Sequence, residues 1–243
     1  MKILFVTELA YLPQGFGGLV SSTHDLCIAL LAEGHQCAVM SELKSGNFIW
    51  LKNRTLSKLN KKKFIVDYLL DYPVFRGWNI VDGLEEVLKQ YNPDIVVLQA
   101  AYQPIKIVNK VLELGFKTVV YLRDVEFVDS VEKYVADENL FFIANSNFTA
   151  NFFREKFDLY AKVIAPLVDF SKYKVHSLCE KVLFINPNPL KGLELAFKLA
   201  ESNTDIPFLF VESWPISPEN KRQYLLRATN ASNIEWLESQ TDM

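Results

Sequence analysis

Residues 2–7 (KILFVT) lead through a loop that ends in residues 15–18 (GFGG) into an amphipathic run over residues 19–32. A short apolar run followed by glycines and a helical pattern is typical of a strand that turns into a helix. The start of a helix has unpaired backbone N–H groups and a positive dipole end, so it attracts phosphate or carboxylate. Because glycine lets a ligand approach the backbone closely, Gly17 and Gly18 are candidate ligand-binding residues.

A second junction of this kind joins residues 181–185 (KVLFI) to residues 186–192 (NPNPLKG), before another helical run. Lys191 in the first turn of a helix would face the positive dipole end, at a cost of about 0.3–1 kcal/mol. Gly192 there would cost up to about 1 kcal/mol relative to alanine. A bound diphosphate would offset the first cost and explain the glycine, so Asn186, Lys191 and Gly192 are candidate donor-binding residues. The alternative is a solvated surface lysine.

The first glycine loop does not match the dinucleotide fingerprint, because Val20 stands where the third glycine belongs. Glu42 is a match for the acidic ribose-binding residue of that fingerprint, but alone it is weak evidence. A nicotinamide enzyme is therefore disfavoured. The alternative to a ligand cradle at Gly17 and Gly18 is a flexible loop that packs tightly against the sheet.

Composition narrows the class of protein. The chain has 243 residues, half of them hydrophobic, which is enough for one large or two small domains with a core. The net charge of −3 argues against a general nucleic-acid binder. Three distant cysteines form no CxxC pair, so a zinc site and a disulfide framework are disfavoured and a reducing cytoplasm fits best.

Short apolar runs alternate with helical patterns along the whole chain. This alternation predicts an α/β fold with a Rossmann-like, doubly wound parallel sheet, in which ligands bind at the carboxyl ends of the strands. The predicted strands are residues 3–7, 37–41, 95–98, 118–122, 141–144, 162–164, 182–185 and 208–211. The predicted helices are residues 18–33, 81–91, 105–114, 147–157, 190–201 and 218–228.

Residues 44–77 break this alternation and combine aromatic residues with the basic stretch 58–63. We expect an insertion over the edge of the sheet. Its cations predict either a solvated face or contact with an anionic membrane surface. Residues 165–179 lack clear periodicity and are expected to link two halves.

Polar residues at two further strand ends are candidate site residues. Arg123 and Asp124 follow the strand at 118–122 and are candidates for contacts to a sugar or a leaving phosphate. Alternatively, Asp124 caps the next helix, and Arg123 pairs with it or with Glu126. Glu212 follows the strand at 208–211 as a candidate substrate-binding residue or a hydrated loop carboxylate. His24 is expected in the core, with no partner evident, and no Ser-His-Asp or Cys-His arrangement is readable.

Several short motifs, taken in order, resemble the GT-B glycosyltransferases of the family 4 group, which use nucleotide-sugar donors and retain anomeric configuration. The resemblance covers nearly the whole chain, and the order of its motifs carries it. They are the opening strand and glycine loop at residues 3–18, the helix with Asp25-Leu26 and Ala29-Leu30 up to Glu33-Gly34-His35, Asn92-Pro93-Asp94-Ile95-Val96, Ala144-Asn145-Ser146-Asn147-Phe148-Thr149, residues 162–169 and Lys191-Gly192.

The resemblance implies an acceptor-side domain over residues 1–170 and part of a nucleotide-sugar domain over residues 171–243. It implies a donor bound between the two, a saccharide or lipid-linked acceptor, and no metal or cofactor. Arg123 and Asp124 would orient the sugar as catalytic residues, and Lys191 would neutralise the diphosphate. The implied location is the cytoplasm, with peripheral contact at the inner membrane face.

Three departures from the family pattern bear on activity. Arg123 stands where the family usually has histidine, and Asn186-Pro187 stands where it usually has Gly-Arg. The chain also stops upstream of the family's Glu-x7-Glu segment, so we expect a truncated chain that turns over poorly alone. A rival hypothesis is a non-catalytic Rossmann-like binding or interaction module.

Overall fold

A computed structural model describes residues 1–46, 48–60, 62–125, 134–168, 170–174, 176, 178–214 and 216–239. The chain divides into two compact units, Met1–Lys172 and Tyr173–Met243. The domain bounds expected from the sequence, 1–170 and 171–243, and the roles assigned to them remain predictions. In the described ranges, no helix is both long and apolar enough to cross a bilayer.

The first unit is built on an eight-stranded sheet with the order β3-β4-β2-β1-β5-β6-β7-β8. Every neighbouring pair is parallel except β3 and β4. The strands are β1 Lys2–Ala10, β2 Gln36–Glu42, β3 Phe64–Asp67, β4 Val74–Gly77, β5 Ile95–Gln99, β6 Lys117–Leu122, β7 Leu140–Ala144 and β8 Lys162–Val163. The helices are α1 Gly18–Ala32, α2 Phe48–Asn60, α3 Ile80–Tyr91, α4 Pro104–Glu113 and α5 Asn147–Phe157, and a short α6 spans Phe170–Tyr173.

The central strands are apolar throughout because both faces of the sheet are covered. Leu4 and Val6 of β1 belong to a core cluster shared with α3 and α4. Ile3 and Phe5, which alternate with them, belong to a second cluster shared with α1. Successive side chains of a strand point to opposite faces, so a strand between two helical layers must be apolar at every position. The predicted Rossmann-like parallel α/β fold is confirmed.

The segment over residues 44–77 differs from its prediction. It does not lie over the sheet edge but supplies α2, the edge strand β3 and its neighbour β4, with β4 parallel to β2. Phe64, Val74 and Phe75 are buried there, and this burial explains why the sheet extends to include them.

The second unit carries a three-stranded parallel sheet with the order β11-β10-β9. Its elements are β9 Val182–Ile185, a 3₁₀ turn Pro189–Lys191, α7 Leu193–Ser202, β10 Phe208–Val211, α8 Pro218–Asn230 and β11 Ile234–Leu237. Phe197 of α7 packs edge-to-face with Phe210 and stacks with Trp236, with ring centroids 5.4 and 6.5 Å away. This aromatic cluster forms the core of the unit.

Candidate functional site

The glycines of the first loop differ in how closely other protein atoms approach them. A Cβ added at Gly15 would lie 2.1 Å from the carbonyl oxygen of Ala10, so Gly15 is required by close packing. A Cβ at Gly17 or Gly18 would meet no atom within 4 Å. The interpretation of Gly17 and Gly18 as tightly packed against the sheet is therefore wrong, and both positions are open to a ligand.

The start of α1 offers hydrogen-bond donors. Gly17 is the N-cap residue, with φ 139° and ψ 168°, and no side chain caps the helix. Among the described residues, the N–H groups of Gly18, Leu19 and Val20 find no acceptor. Three free donors at the positive end of a helix dipole favour an anionic or strongly polar ligand.

Arg76 fixes the chain that leads into this loop. Its side chain is completely buried and pairs with Asp67 at 2.6 Å. Its Nη1 and Nη2 donate hydrogen bonds to the carbonyl oxygens of Tyr11 and Leu12, at 3.2 and 2.5 Å. A buried arginine with its charge paired and its donors engaged rigidly positions what it touches. Sequence reasoning missed this residue because its segment had not been assigned to the sheet.

The guanidinium group of Arg123 donates hydrogen bonds within the first unit and does not pair with Asp124. Its Nη1 donates to the carbonyl oxygen of Leu19, to Oγ1 of Thr23 and to Oε1 of Gln99, each at 3.1 Å. The guanidinium carbon also lies 4.3 Å from the ring centroid of Tyr121. The interpretation of Arg123 as a partner of Asp124 is therefore wrong, while Glu126 lies outside the described residues.

A pocket of about 300 Å³ lies at the carboxyl ends of β1, β5 and β6 in the first unit. Arg123, the exposed Asp124 and the buried Gln99 supply polar groups to its lining. Nε and Nη2 of Arg123 have no partner among the described residues. The rest of the lining is mainly apolar and includes Leu9, Leu19, Ala101, Tyr102, Pro104 and Phe153. Such a pocket suits a ligand with one apolar face and a few hydroxyl or anionic groups.

Two carboxylates, Glu8 and Glu42, lie towards the carboxyl ends of the adjacent strands β1 and β2. Sequence reasoning did not recognise them as a pair. Glu8 of β1 is 4% exposed, and its Oε2 accepts a hydrogen bond of 2.8 Å from the N–H of Gln103, just before α4. Glu42 ends β2, and burial together with the nearby charge of Glu8 raises the pKa of its carboxyl group. Their positions after two apolar strands were the available signal.

Lys191 was predicted to lie in the first turn of the helix, and this prediction is wrong. It ends the 3₁₀ turn Pro189–Lys191, and Gly192 follows as the N-cap residue of α7 with φ 83°. The left-handed backbone explains this glycine without any ligand, so the argument from two opposed helix costs is wrong. The N–H groups of Glu194 and Leu195 in the first turn of α7 find no acceptor among the described residues.

The structure brings Lys191, Asn186 and Trp214 together at the carboxyl ends of β9 and β10. Asn186 has φ 63°, donates its N–H to the carbonyl oxygen of Val211 at 2.8 Å, and accepts a hydrogen bond of 3.2 Å at Oδ1 from the N–H of Trp214. The Nζ of Lys191 lies 5.0 Å from the ring centroid of Trp214. Sequence reasoning missed Trp214, although it follows a strand end two residues after Glu212.

Glu212 is buried and is not a hydrated loop carboxylate. It is 9% exposed, and its Oε1 accepts a hydrogen bond of 2.6 Å from Nε1 of Trp236. Lys221 approaches the same carboxylate at 3.0 Å. These contacts join β10, α8 and β11, while a contact from Glu212 to a donor remains a prediction.

His24 has a partner that the sequence did not reveal. Its Nδ1 lies 2.7 Å from the hydroxyl of Tyr72, which lies 2.8 Å from the hydroxyl of Tyr11. Both tyrosines are buried, and burial is the main reason that their pKa values are raised. This chain of hydrogen bonds joins α1 to the loops beside it and is structural.

Comparison with known proteins identifies the fold. No protein-family model matches the sequence, and no curated protein is similar to it in sequence. Solved structures do match.

A glycosyltransferase from Rickettsia africae is 16% identical, with a TM-score of 0.66 over 99% of this chain and 69% of that one. Sucrose-phosphate synthase from Thermosynechococcus elongatus is 12% identical, with a TM-score of 0.66 over 98% and 70%. UDP-GlcNAc 2-epimerase from Neisseria meningitidis, bound to UDP-GlcNAc, is 13% identical, with a TM-score of 0.56 over 99% and 72%.

The fold is that of the GT-B glycosyltransferases. At these identities the likeness establishes the fold alone, and one of the three proteins is an epimerase and not a transferase. Family 4 membership, retention of configuration and the absence of a metal or cofactor remain predictions.

Proposed function

We propose that this chain binds a nucleotide-sugar donor and belongs to an enzyme that transfers the sugar, with retention, to a saccharide or lipid-linked acceptor. The observation that carries the proposal is the position of Lys191, whose Nζ is held over the ring of Trp214 beside Asn186. No carboxylate pairs with Lys191 among the described residues. An exposed, unpaired ammonium group next to an aromatic ring and a helix start suits a nucleoside diphosphate.

The chemistry follows from where charge develops. When the bond between the sugar and the diphosphate breaks, negative charge builds on the leaving phosphate oxygen. The ammonium group of Lys191 and the free N–H groups at the start of α7 stabilise that charge electrostatically. Asn186 holds the backbone at Trp214 and thereby positions the ring that supports Lys191. Glu212 is proposed to contact the donor from the same strand end, and Gly192 to leave room for it.

In the first unit, Gly17 and Gly18 are proposed to contact donor phosphate or acceptor through the open start of α1. Asp124, exposed at the pocket, is proposed to accept hydrogen bonds from sugar hydroxyls. Arg123 contributes the free Nε and Nη2 of its guanidinium group and fixes α1 through Nη1. Both residues lie at the carboxyl end of β6, where open α/β sheets bind ligands.

The finer assignment to the retaining family 4 group, and to polysaccharide biosynthesis, is supported by the order of the sequence motifs. We place the protein in the cytoplasm with peripheral contact at the inner membrane face, where a lipid-linked acceptor would be presented. No metal or cofactor is required by the proposal, because the ammonium group and helix N–H donors supply the charge stabilisation.

Isothermal titration calorimetry with UDP, GDP and their sugars tests donor binding. We expect one nucleotide to bind, with affinity reduced about tenfold or more in Lys191→Ala, because a charge-assisted hydrogen bond contributes about 1.5–3 kcal/mol. Lys198→Ala, an exposed cation on α7, is the matched control and should bind normally. Trp214→Ala should weaken binding about two- to fivefold, the value of an exposed cation–π contact.

The outcome also separates the rival functions. If no nucleotide binds, the hypothesis of a non-catalytic binding or interaction module is favoured. If a UDP-sugar is converted to its epimer without an acceptor, an epimerase is supported. If this chain alone transfers sugar steadily and Lys191→Ala abolishes the transfer, the expectation of poor turnover is wrong.

A further inference from the structure

Positive charge is concentrated in one segment of an acidic protein. Residues 44–63 contain seven lysines and arginines and no aspartate or glutamate, whereas the whole chain has 26 basic against 29 acidic residues. The segment includes α2. A basic segment of this kind attracts an anionic surface.

The outward face of α2 is apolar. Phe48, Leu51 and Leu59 are 78%, 57% and 73% exposed. With the exposed Thr55 they follow the spacing i, i+3, i+7, i+11, which places all four on one side of a helix. We call these four residues the outer stripe. A solvent-facing stripe of this kind is unfavourable in water unless it meets another surface.

The fold does not need the outer stripe for packing. Away from the outer stripe, Asn53 is buried at 2% exposure, and Ile49 and Leu56 are half-buried. These residues attach the helix to its unit. The outer stripe is therefore available for an interaction that the described residues do not make.

Cations border the outer stripe. Lys52 and Arg54 are exposed, and at 100° per residue they flank the stripe on its two sides. The guanidinium carbon of Arg54 lies 5.0 Å from the ring centroid of Trp50. Apolar residues between cations on one helix are the arrangement of a helix lying in the interface of an anionic bilayer.

We propose that α2 is an interfacial helix that docks the protein on anionic lipid, with the outer stripe in the acyl boundary and Lys52 and Arg54 at the headgroups. A protein partner is the less favoured occupant, because seven like charges without an acid would require an unusually acidic counterpart. The proposal defines the surface for the membrane contact proposed above and so deepens it, but lipid binding is measured without nucleotide and is judged separately from donor binding.

The test is co-sedimentation of the full chain with vesicles of phosphatidylcholine alone or mixed with phosphatidylglycerol. We expect binding to the anionic vesicles, little binding to the neutral ones, and partial release by salt. Lys52→Glu with Arg54→Glu should reduce partitioning more than tenfold, because each cation near an anionic surface contributes about fivefold. Phe48→Ser with Leu51→Ser and Leu59→Ser should reduce it at least as much.

Matched controls use the second unit. Lys198→Glu with Arg222→Glu makes the same change in net charge, and Leu195→Ser with Leu226→Ser removes two leucines that are each 64% exposed. Both should retain binding, and circular dichroism should show every variant folded. Equal loss in the controls, equal binding to neutral vesicles, or a dimer that the outer-stripe variant dissociates would overturn the proposal.

Discussion

The Nη1 of Arg123 donates a hydrogen bond of 3.1 Å to the carbonyl oxygen of Leu19 and so joins the end of β6 to the first turn of α1. The same nitrogen donates to Thr23 on α1 and to Gln99 on β5. One side chain therefore holds the open helix start and the edge of the pocket in a fixed arrangement. The geometry of Gly17 and Gly18 depends on a residue more than a hundred positions away.

Arg123→Met should lower the free energy of unfolding by about 1–3 kcal/mol, because the carbonyl of Leu19 and the buried amide of Gln99 lose their donor. Urea unfolding measures the change. Arg154→Met, an exposed arginine on α5, serves as the control and should stay within about 0.5 kcal/mol of the parent. If both variants unfold at the same urea concentration, the hydrogen bonds of Arg123 do not hold the fold together.

The central sheet could be predicted from the sequence because its strands and helix starts are marked by short stretches of consecutive residues. Strands such as β1 and β5 are buried on both faces, which makes them continuously apolar, and glycine or a capping side chain marks where several helices begin. Ser146 shows this at α5, where its hydroxyl accepts the N–H of Thr149. These signals are readable in a few consecutive residues.

The edge and the details of the site could not be predicted, because they depend on distant partners. β3 and β4 are four residues each and lie beside a basic stretch, so their strand character comes from pairing, β4 with β2 and β3 with β4. The position of Lys191 was predicted wrongly because the left-handed backbone at Gly192 separates the turn from α7. The contact of Lys191 with Trp214 joins two loops that no local pattern connects.

Glu212→Leu should destabilise the protein by about 1–3 kcal/mol, because Nε1 of Trp236 and the ammonium group of Lys221 lose an acceptor on a buried carboxylate. Thermal or urea unfolding reads this directly. Glu238, whose side chain is 82% exposed, is the outer partner of Lys221. Glu238→Gln removes this partner and should be nearly neutral. A stable Glu212→Leu variant that loses only nucleotide affinity would instead assign Glu212 to the donor.

Glu42 should make the protein less stable as pH rises through the acid range. Burial and the charge of Glu8 raise the pKa of Glu42 in the folded state, so the folded state holds this proton more tightly than the unfolded one. Stability from this group is present below the unfolded pKa and is lost as pH rises through the folded pKa. Glu42→Gln should therefore be more stable than the parent at pH 7, and the difference should vanish near pH 4.

Urea unfolding at both pH values measures this difference. Glu138→Gln, an exposed carboxylate in a turn, controls for the change in net charge and should not show the pH-dependent gain. A Glu42→Gln variant that is less stable at pH 7 would show that the ionised carboxylate has a favourable partner.

Alanine substitutions along the glycine loop should separate folding from ligand binding. Gly15→Ala places a Cβ 2.1 Å from the carbonyl oxygen of Ala10 and should destabilise by about 1–3 kcal/mol or more. Gly17→Ala should cost about 1–3 kcal/mol, because φ 139° with ψ 168° is a region that is almost restricted to glycine.

Gly18→Ala should be neutral or stabilising by up to about 1 kcal/mol, since this position is helical and open. Urea unfolding and nucleotide titration are measured on the same samples. A Gly18→Ala variant of full stability that binds nucleotide or acceptor more weakly would mean that a ligand approaches the backbone where the new methyl group stands. Unchanged binding in Gly18→Ala would show that no ligand contacts the backbone at Gly18, because an added Cβ there meets no protein atom within 4 Å and could only hinder a ligand.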